Sequence, residues 1–278
     1  MQTDKVSVVI PVYNGMPDIK ISITSLKLQT HTNWEAIIID DGSTDGTAEY
    51  IDSLNDERFI VHHFPKNMGR PYARQKALEL ATGKYLAMLD ADDFYAPDKL
   101  EKQVRIMEEN SDVMLVGAGM CSWGKKSKKI RIRGCGDATI RRANKKTSVA
   151  HAAAMLRTNE AKRYGYNLYM QYGQDQDFLQ RYLDGRQYVE LPDVLYYYSE
   201  FDSVNRKKIK RTHWICFKNA FAKRDLKEAA IRLIKLAVCV VTHPFMTDEQ
   251  ILLKRGSAPT EKQYNDFIEH HKLHISKL

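Results

Sequence analysis

The sequence has few cysteines and no long apolar run. Its four cysteines, Cys121, Cys135, Cys216 and Cys239, form no Cys-x-x-Cys pair. This scattered pattern fits a reducing cytoplasm better than a disulfide framework or a zinc site. No uncharged run reaches the roughly 20 residues that span a bilayer, and the apolar segment Val6–Val12 is too short for the core of a signal peptide. We therefore expect a cytoplasmic chain without a cleaved leader.

The sequence also lacks the common nucleotide-binding motifs. It has no Gly-x-x-x-x-Gly-Lys-Ser/Thr. After Gly117 and Gly119 the next glycine, Gly124, comes two positions too late for a dinucleotide fingerprint, and no helical pattern follows. These absences count against a P-loop enzyme and against an NAD-dependent dehydrogenase.

Positive charge is concentrated in two regions. Residues 1–200 hold 27 Lys+Arg and 27 Asp+Glu, whereas residues 201–278 hold 16 and 8. Within the first part, residues 119–146 carry ten basic side chains and one acid, Asp137. Either region suits an anionic partner such as a membrane lipid, a diphosphate-linked substrate or a nucleic acid. The plainer alternative is two solvated basic faces.

Strands and helices alternate over the first 120 residues. Apolar runs predict strands at Lys5–Val12, Trp34–Asp40, Arg58–Phe64, Tyr85–Leu89 and Val113–Val116. Helical spacing and start signals predict helices at Pro17–Leu28, from a cap at Ser43 or Thr44 to Asn55, at Pro71–Thr82 with Gly83 as its terminating glycine, and at Ala96–Glu109. Short connections between such elements favour an α/β fold with a doubly wound, mostly parallel sheet.

The pattern changes after residue 120. The basic stretch Ser122–Arg133 predicts an exposed hairpin, and Gln174–Leu183 predicts a helix. One or two strands are expected over Tyr188–Tyr198, with Pro192 between them. From Thr212 onward the sequence is helical in character.

Acidic residues follow several of the predicted strands. The segment Leu86–Tyr95 is a strand end followed by Asp90, Asp92 and Asp93. Right-handed crossovers bring successive strand ends to one edge of a sheet, where open α/β sheets bind ligands. Two acids on a turn suit a hard divalent cation that keeps a phosphate ligand, and the alternative is a solvated acidic turn.

Four segments in order resemble the N-terminal half of family 2 glycosyltransferases of the bacterial polysaccharide type. They are Ser7-Val-Val-Ile-Pro-Val-Tyr-Asn14, Ile39-Asp-Asp-Gly-Ser-Thr-Asp45, Asn67-x-Gly69-x-x-x-Ala73-Arg74 and Asp90-Ala-Asp92-Asp93. Members of that family are inverting enzymes of the GT-A fold that use nucleotide-sugar donors. The resemblance implies a catalytic domain at 1–200, with a donor half at 1–118 and an acceptor half at 119–200, followed by a basic helical extension at 201–278.

The resemblance implies a nucleotide-sugar-binding set of Pro11, Val12, Tyr13, Asn14, Asp41, Arg70, Arg74, Asp90, Ala91 and Asp92. Asp92 is expected to bind Mn²⁺ or Mg²⁺, and Asp90 to share that metal or to contact the ribose. Asp41 is expected beside the nucleobase. Tyr13 has plain packing as its alternative, Arg70 has an ordinary solvated position, and Asp93 is expected to cap the next helix.

A looser resemblance covers the acceptor side. The segment Gly173-Gln-Asp175-Gln-Asp177 is similar to the family's Glu-Asp motif, with Gln174 in place of Glu. It implies Asp175 as the general base, with Asp177 as the second candidate. The replacement by Gln174 leaves the acceptor contacts open. His151 lies in a segment similar to one that precedes this motif, and is either a diphosphate or metal contact or a structural histidine.

The C-terminal region bears on where the acceptor is found. Ala229–Val241 is apolar apart from Arg232 and Lys235, and the basic cluster 206–211 precedes it. One interpretation is peripheral contact of 205–241 with the inner face of the cell membrane. The other is a helix packed on the catalytic domain. In the first case a lipid-diphosphate-linked saccharide is the expected acceptor, with the basic segment 125–142 holding its diphosphate or forming an exposed loop.

The expected reaction is therefore inverting transfer of a sugar, from a UDP-linked donor, to a saccharide in cell-surface polysaccharide synthesis. A nucleotidyltransferase on a similar sheet is the rival enzyme, but Pro11–Gly15 lacks the Gly-rich basic loop that a triphosphate needs. A nucleic-acid-binding protein is the rival from another class. The basic regions contain few interleaved aromatics and match no such motif, so we expect no nucleic-acid partner.

Overall fold

The computed structural model describes residues 4–124, 129–144, 147–170, 173–200, 214, 217–218, 220–221, 224, 226–242, 250, 253 and 256–277. Its strands are β1 Val6–Val12, β2 Trp34–Asp40, β3 Phe59–His63, β4 Tyr85–Met88, β5 Phe94–Tyr95, β6 Val113–Trp123, β7 Arg131–Arg133, β8 Arg141–Arg142, β9 Met155–Arg157 and β10 Gln187–Ser199. Its helices include α1 Ile19–Lys27, α2 Thr47–Asp52, α3 Arg70–Leu80, α4 Lys99–Glu109, α5 Thr158–Tyr164, α6 Gln174–Leu183, α7 Leu226–Thr242 and α8 Glu261–Ile275.

The strands form one sheet in the order β3-β2-β1-β4-β9-β6-β10-β5. The pairs β2–β3, β1–β2 and β1–β4 are parallel, as the alternating pattern predicts. The pairs β4–β9, β6–β9 and β5–β10 are antiparallel, so the second half of the sheet is mixed. In the parallel half, Val12 pairs with Asp40 and Val9 pairs with Met88. The carboxyl ends of β1, β2 and β4 therefore meet at one edge.

The central strands are buried because most of their residues are apolar. Every residue of β2 is buried, and so is every residue of β4. Helix α3 lies against β1 and β2 and buries its small side chains Ala73 and Ala77 there. A strand covered on both faces needs no alternation of polar and apolar residues, which explains the continuous apolar runs.

Several local expectations are wrong. Ser43 and Thr44 do not cap α2, whose N-cap is Gly46. Gly83 does not end α3 in a left-handed conformation. A β-carbon at Gly83 would lie 2.7 Å from the carbonyl oxygen of Lys5 and 2.7 Å from the amide nitrogen of Ser7, so this glycine permits a close backbone approach.

The second half of the sheet also differs in its strand lengths. Strand β6 continues to Trp123 rather than ending at Val116, and Ser122 and Trp123 are buried, so this part of the expected hairpin is not exposed. Residues 125–128 of that hairpin lie outside the described residues. Strand β10 runs unbroken through Pro192. A long antiparallel strand of a mixed sheet can have one residue exposed to solvent, as β10 has at Pro192.

The chain forms two compact units. One comprises Met1–Cys121, Ile132–Tyr198 and Pro259–Leu278, and the other comprises Ser122–Arg131 and Ser199–Ala258. Helix α7 belongs to the second unit and α8 to the first. The expected division into 1–200 and 201–278 stays a prediction.

Helix α8 joins the first unit through an aromatic cluster. The ring of Phe94 stacks on Tyr197 at 4.6 Å and lies 5.0 Å from His274. The Tyr197 hydroxyl and Nδ1 of His270 are 2.7 Å apart. A capping box at Thr260 begins the helix. These contacts place α8 directly behind β5, the strand that follows the acidic turn 90–93.

Candidate functional site

A cleft of about 460 Å³ lies at the carboxyl edge of the parallel strands. It is lined by Pro11, Val12, Tyr13, Asn14, Gly15, Asp18, Asp41, Asn67, Gly69, Arg70, Ala73, Asp90, Ala91 and Asp92. All the residues expected to bind a nucleotide sugar line this cleft except Arg74. The four strand-end segments therefore converge as topology predicts.

The first wall of the cleft is the loop after β1, which is fastened to the loop after β2. The amide of Asn14 donates to Ser43 Oγ at 2.9 Å, and Asn14 Oδ1 accepts from the amide of Thr44 at 2.8 Å. Asn14 has a φ of 50°, a conformation that asparagine adopts more readily than most residues. Tyr13 is 50% exposed, so it lines the cleft rather than packing in the core.

Asp41 holds the start of α3 beside this wall. Its carboxylate accepts hydrogen bonds from the amides of Met68 at 2.6 Å and Gly69 at 2.9 Å. Gly69 has a φ of 95°, which favours glycine, and α3 begins at the next residue, Arg70. Asp41 thereby sets where α3 starts. Each carboxylate oxygen keeps a second lone pair for a ligand.

The Asp-x-Asp turn is held from beneath. The Ser22 hydroxyl lies 2.8 Å from the carbonyl oxygen of Ala91 and 2.7 Å from that of Asp93. The Tyr196 hydroxyl accepts from the amide of Asp90 at 3.1 Å and donates to Asp93 Oδ2 at 2.6 Å. The expectation that Asp93 caps the following helix is wrong. Its buried carboxylate anchors the turn to β10, and the N-cap of α4 is Asp98.

Arg74 lies behind the cleft rather than in it. It is buried, and its Nη2 donates to Asp90 Oδ1 at 3.1 Å. Burial alone would raise the pKa of the Asp90 carboxyl, but the positive charges of Arg74 and Arg70 outweigh burial and lower it. Arg74 thus keeps Asp90 ionised. Arg70 itself is exposed at the cleft. Its position is compatible with a solvated side chain and with a ligand contact.

The pKa of Asp92 is shifted in the opposite direction to that of Asp90. Burial, and then the neighbouring charge of Asp90, raise the pKa of Asp92 to about 6. No salt bridge reaches Asp92 from any residue that the structure describes. Two adjacent carboxylates with one of them unpaired form a donor set that a hard divalent cation satisfies. Asp90 and Asp92 therefore fit the metal that the sequence implies. The described residues contain no group of three or more His, Cys, Asp or Glu side chains that could bind a metal ion, so the remaining ligands would come from donor and water.

Asp175 lies close to the same charges. It stands in the first turn of α6, and its negative charge acts on Arg74, His151 and Tyr166. The charge of Asp90 acts on the same three side chains. The candidate base and the Asp-x-Asp turn therefore share their neighbours, although the chain separates them widely.

The other acceptor-side residues have structural contacts. Asp177 Oδ2 accepts from Nε of Arg181 at 2.9 Å, which leaves Asp175 the less committed carboxylate. Gln174 is buried. Nε2 of His151 lies 2.8 Å from the Tyr166 hydroxyl, and burial together with the charge of Arg74 lowers the pKa of His151 to about 4. A buried, neutral histidine away from the cleft fits the structural alternative.

Three arginines of the basic segment 125–142, Arg133, Arg141 and Arg142, are also engaged. Arg141 pairs with Asp137 at 2.7 Å, and Arg142 donates to the carbonyl oxygen of Gly185 at 2.6 Å. Arg133 lies over the ring of Tyr198. These contacts are those of a folded surface rather than of a preformed phosphate site.

Some residues of the site were not predicted from the sequence. Asp18 lines the cleft, and its charge contributes to the raised pKa of Asp92. Asn67, Gly69 and Ala73 line it as well, and their place in the third motif was the available signal. Ser22 and Tyr196 support the Asp-x-Asp turn, but no pattern near either residue in the sequence predicts that role.

Solved structures share the fold. Residues 1–349 of TarS from S. aureus match with a TM-score of 0.63 over 96% of this chain and 78% of that one, at 19% identity. The mannosyltransferase PcManGT from Pyrobaculum calidifontis, in complex with GDP-Man and Mn²⁺, matches with a TM-score of 0.57 over 98% and 80%, at 18% identity. The fold is that of the GT-A glycosyltransferases.

Sequence comparison identifies the family. The model of "Glycosyl transferase family 2" matches residues 7–165. This chain belongs to glycosyl transferase family 2.

Two curated relatives share the N-terminal part. TuaG of Bacillus subtilis (strain 168), a glycosyltransferase named for teichuronic acid biosynthesis, is 46% identical over 108 residues, which is 38% of this chain and 43% of TuaG. WfgD of Escherichia coli, a UDP-Glc:alpha-D-GlcNAc-diphosphoundecaprenol beta-1,3-glucosyltransferase, is 36% identical over 114 residues, 40% of this chain and 44% of WfgD. The matches span less than half the length of these relatives.

Proposed function

We propose that this protein transfers a sugar from a nucleoside-diphosphate donor, UDP-linked, to a saccharide acceptor with inversion at the anomeric carbon. The observation that carries the proposal is the convergence of the Asp90–Asp92 turn and Asp175 on Arg74, beside the cleft. Family membership supports the reaction class. The complex of TarS with UDP-GlcNAc supports the choice of a uridine nucleotide, at the level of fold.

In this proposal the donor binds along the cleft edge. Asp41 and the Pro11–Asn14 wall receive the nucleoside, because they form the end of the cleft opposite the acidic turn in the strand order. Arg70 contacts the diphosphate, since an exposed guanidinium at the cleft pairs well with phosphate oxygens. Arg74 acts indirectly, by keeping Asp90 ionised.

Asp92 and Asp90 would hold Mn²⁺ or Mg²⁺. Such an ion, when bound, neutralises the charge that builds up on the departing diphosphate. The Mn²⁺ in the PcManGT complex supports a divalent cation here. The raised pKa of Asp92, about 6, is consistent with a carboxylate that lacks its cation.

Asp175 would accept the proton of the acceptor hydroxyl as that oxygen attacks the anomeric carbon from the face opposite the diphosphate. It stands in the first turn of α6. A single displacement with one base inverts the anomeric carbon and forms no covalent sugar–enzyme bond.

We extend the proposal to the acceptor and its place in the cell. WfgD and WfaP are named for diphosphoundecaprenol-linked acceptors, which supports a lipid-diphosphate-linked saccharide. The synthesis of cell-surface polysaccharide at the cytoplasmic side of the membrane follows from such an acceptor. Peripheral membrane contact through 205–241 is part of the same proposal.

A donor screen tests the proposed reaction. The protein is incubated with Mn²⁺ and a panel of nucleotide sugars, and release of free nucleoside diphosphate is measured. We expect release from at least one UDP-sugar. Failure with every donor, or tight and salt-sensitive DNA binding instead, would contradict the proposal.

The base is tested by a matched pair of substitutions in α6. Asp175→Asn should leave UDP binding intact and reduce transfer to acceptor about 100-fold or more, because general-base catalysis contributes about 10²–10⁴-fold. Asp177→Asn, which removes the partner of Arg181, serves as control and should keep most of the activity. Near-normal transfer by the Asp175 variant would move the base elsewhere.

A further inference from the structure

Helix α7 turns its large apolar side chains outward. It has 17 residues. The exposed fractions are 67% for Leu226, 37% for Ile231, 48% for Leu233, 63% for Ile234, 50% for Val240 and 66% for Val241. At 3.6 residues per turn these positions cover about half of the circumference of the helix. We call this set the outward apolar face.

The opposite side of α7 is buried at two small residues. Ala229 and Cys239 are 3% and 8% exposed. Nε of Arg232 pairs with Glu228 Oε1 at 2.6 Å. A helix whose apolar face served only to pack against the protein would bury its large aliphatic residues. In α7 these residues are exposed instead, which disfavours packing as the reason for this apolar sequence.

Length limits what the outward apolar face can enter. At 1.5 Å per residue, 17 residues reach about 25 Å, which is short of the hydrocarbon core of a bilayer. In the described part of the chain, no helix is long and apolar enough to cross a membrane. A helix of this kind instead lies in the plane of a membrane interface, with its apolar face in the acyl boundary.

The positive charge in and before α7 indicates which kind of lipid surface the helix would meet. Residues 205–241 contain 11 Lys+Arg and 2 Asp+Glu, whereas the remainder of the chain contains 32 and 33. The entire positive surplus of the protein thus lies in and just before α7. A second copy placed on the outward apolar face would bring two such basic segments together, which is unfavourable. An anionic membrane surface attracts them.

We propose that the outward apolar face of α7 docks in the plane of an anionic lipid bilayer, with the exposed Lys227 and Lys235 of the helix at the headgroups and the positive charge of 205–241 supplying the attraction. The outward apolar face is the surface that would make the peripheral membrane contact, and it rests on the proposed function only for the lipid-linked acceptor. Vesicle binding needs no donor, so membrane contact and sugar transfer can fail separately.

The test is cosedimentation of the full chain with vesicles. We expect binding to vesicles that contain phosphatidylglycerol, at least about tenfold stronger than to pure phosphatidylcholine vesicles and weakened by salt. The double variant Ile234→Glu/Val241→Glu should lose at least about tenfold of this binding, because both side chains are more than half exposed and would carry charge into the acyl boundary.

Ile140→Glu is the matched control, because Ile140 is 46% exposed and lies in the first unit. It should bind vesicles like the wild type. Circular dichroism and UDP-sugar hydrolysis without lipid should be unchanged in every variant. Absence of vesicle binding, or equal binding by the double variant, overturns the inference even if hydrolysis persists. Self-association without lipid that the double variant abolishes would identify a second copy as the occupant and would also overturn it.

Discussion

Asp92 offers a prediction in which stability and binding change in opposite directions. Its carboxyl group has a pKa of about 6 in the folded chain, against an ordinary value of 3.8. A carboxyl group with a raised folded pKa favours folding at low pH and loses that contribution as the pH rises through the folded pKa. At neutral pH the charged Asp92 therefore costs stability, because it is buried and lies beside Asp90.

The size of the cost follows from the pKa difference. One pKa unit corresponds to about 1.4 kcal/mol, so Asp92→Asn should stabilise the metal-free protein by about 3 kcal/mol at neutral pH. For a chain of this size that gain is a rise in Tm of about 6–12 °C. Near pH ~4 the gain should fall below about 1 kcal/mol, because the wild-type carboxyl is then largely protonated.

Thermal denaturation followed by circular dichroism, in the presence of a chelator, measures both values. Asp112→Asn, at an exposed acid just before β6, is the control and should change the free energy of unfolding by less than about 0.5 kcal/mol. Equal stability of wild type and the Asp92 variant at neutral pH, or an equal gain at both pH values, would refute the electrostatic reasoning.

The same variant tests the metal site by calorimetry. Added Mn²⁺ with UDP should raise the Tm of the wild type and should leave the Asp92→Asn variant unchanged. Wild-type affinity should also decrease as the pH falls below about 6, because a proton then competes with the cation. Undiminished Mn²⁺-dependent UDP binding by the variant would remove Asp92 from the metal site while leaving the stability argument intact.

Two further predictions concern buried cations. Arg74→Met should cost about 3 kcal/mol, because it leaves the partly buried Asp90 carboxylate without its partner. Adding Asp90→Asn should recover part of that loss in a double-mutant cycle, and no recovery would contradict the pairing. Burial lowers the pKa of Lys99 to about 7, so wild-type stability should rise between about pH 7 and 9. Lys99→Met should gain about 2 kcal/mol at neutral pH and flatten that rise, whereas Lys102→Met, which breaks exposed ion pairs, should not. Chemical denaturation at both pH values measures these changes.

The donor side of the site was predictable because its signals are local. Apolar runs identify β1, β2 and β4 almost to the residue, and Trp34–Asp40 coincides with the observed strand. Parallel strands joined by right-handed crossovers place their carboxyl ends at one edge whatever the details of packing. Asp41, Asp90 and Asp92 therefore had to meet, and the cleft contains all of them.

The acidic turn shows where such prediction ends. The sequence places Asp93 four positions before Pro97, which suggests a cap for the next helix. Its carboxylate instead accepts from Tyr196, 103 positions away, because β10 pairs antiparallel with β5. Arg74 likewise resembles any helical arginine until α3 packs on the sheet and buries it against Asp90.

The two C-terminal helices show the same difference between what the sequence determines and what the tertiary structure decides. The sequence alone determines that α7 is largely apolar and that 205–241 is basic. Only the tertiary structure decides that α8 packs behind β5 through Phe94 and that α7 turns its apolar face outward. Local periodicity records which residues share a face of a helix. What that face meets depends on contacts between residues distant in the chain, and these arise from packing and have no local signature.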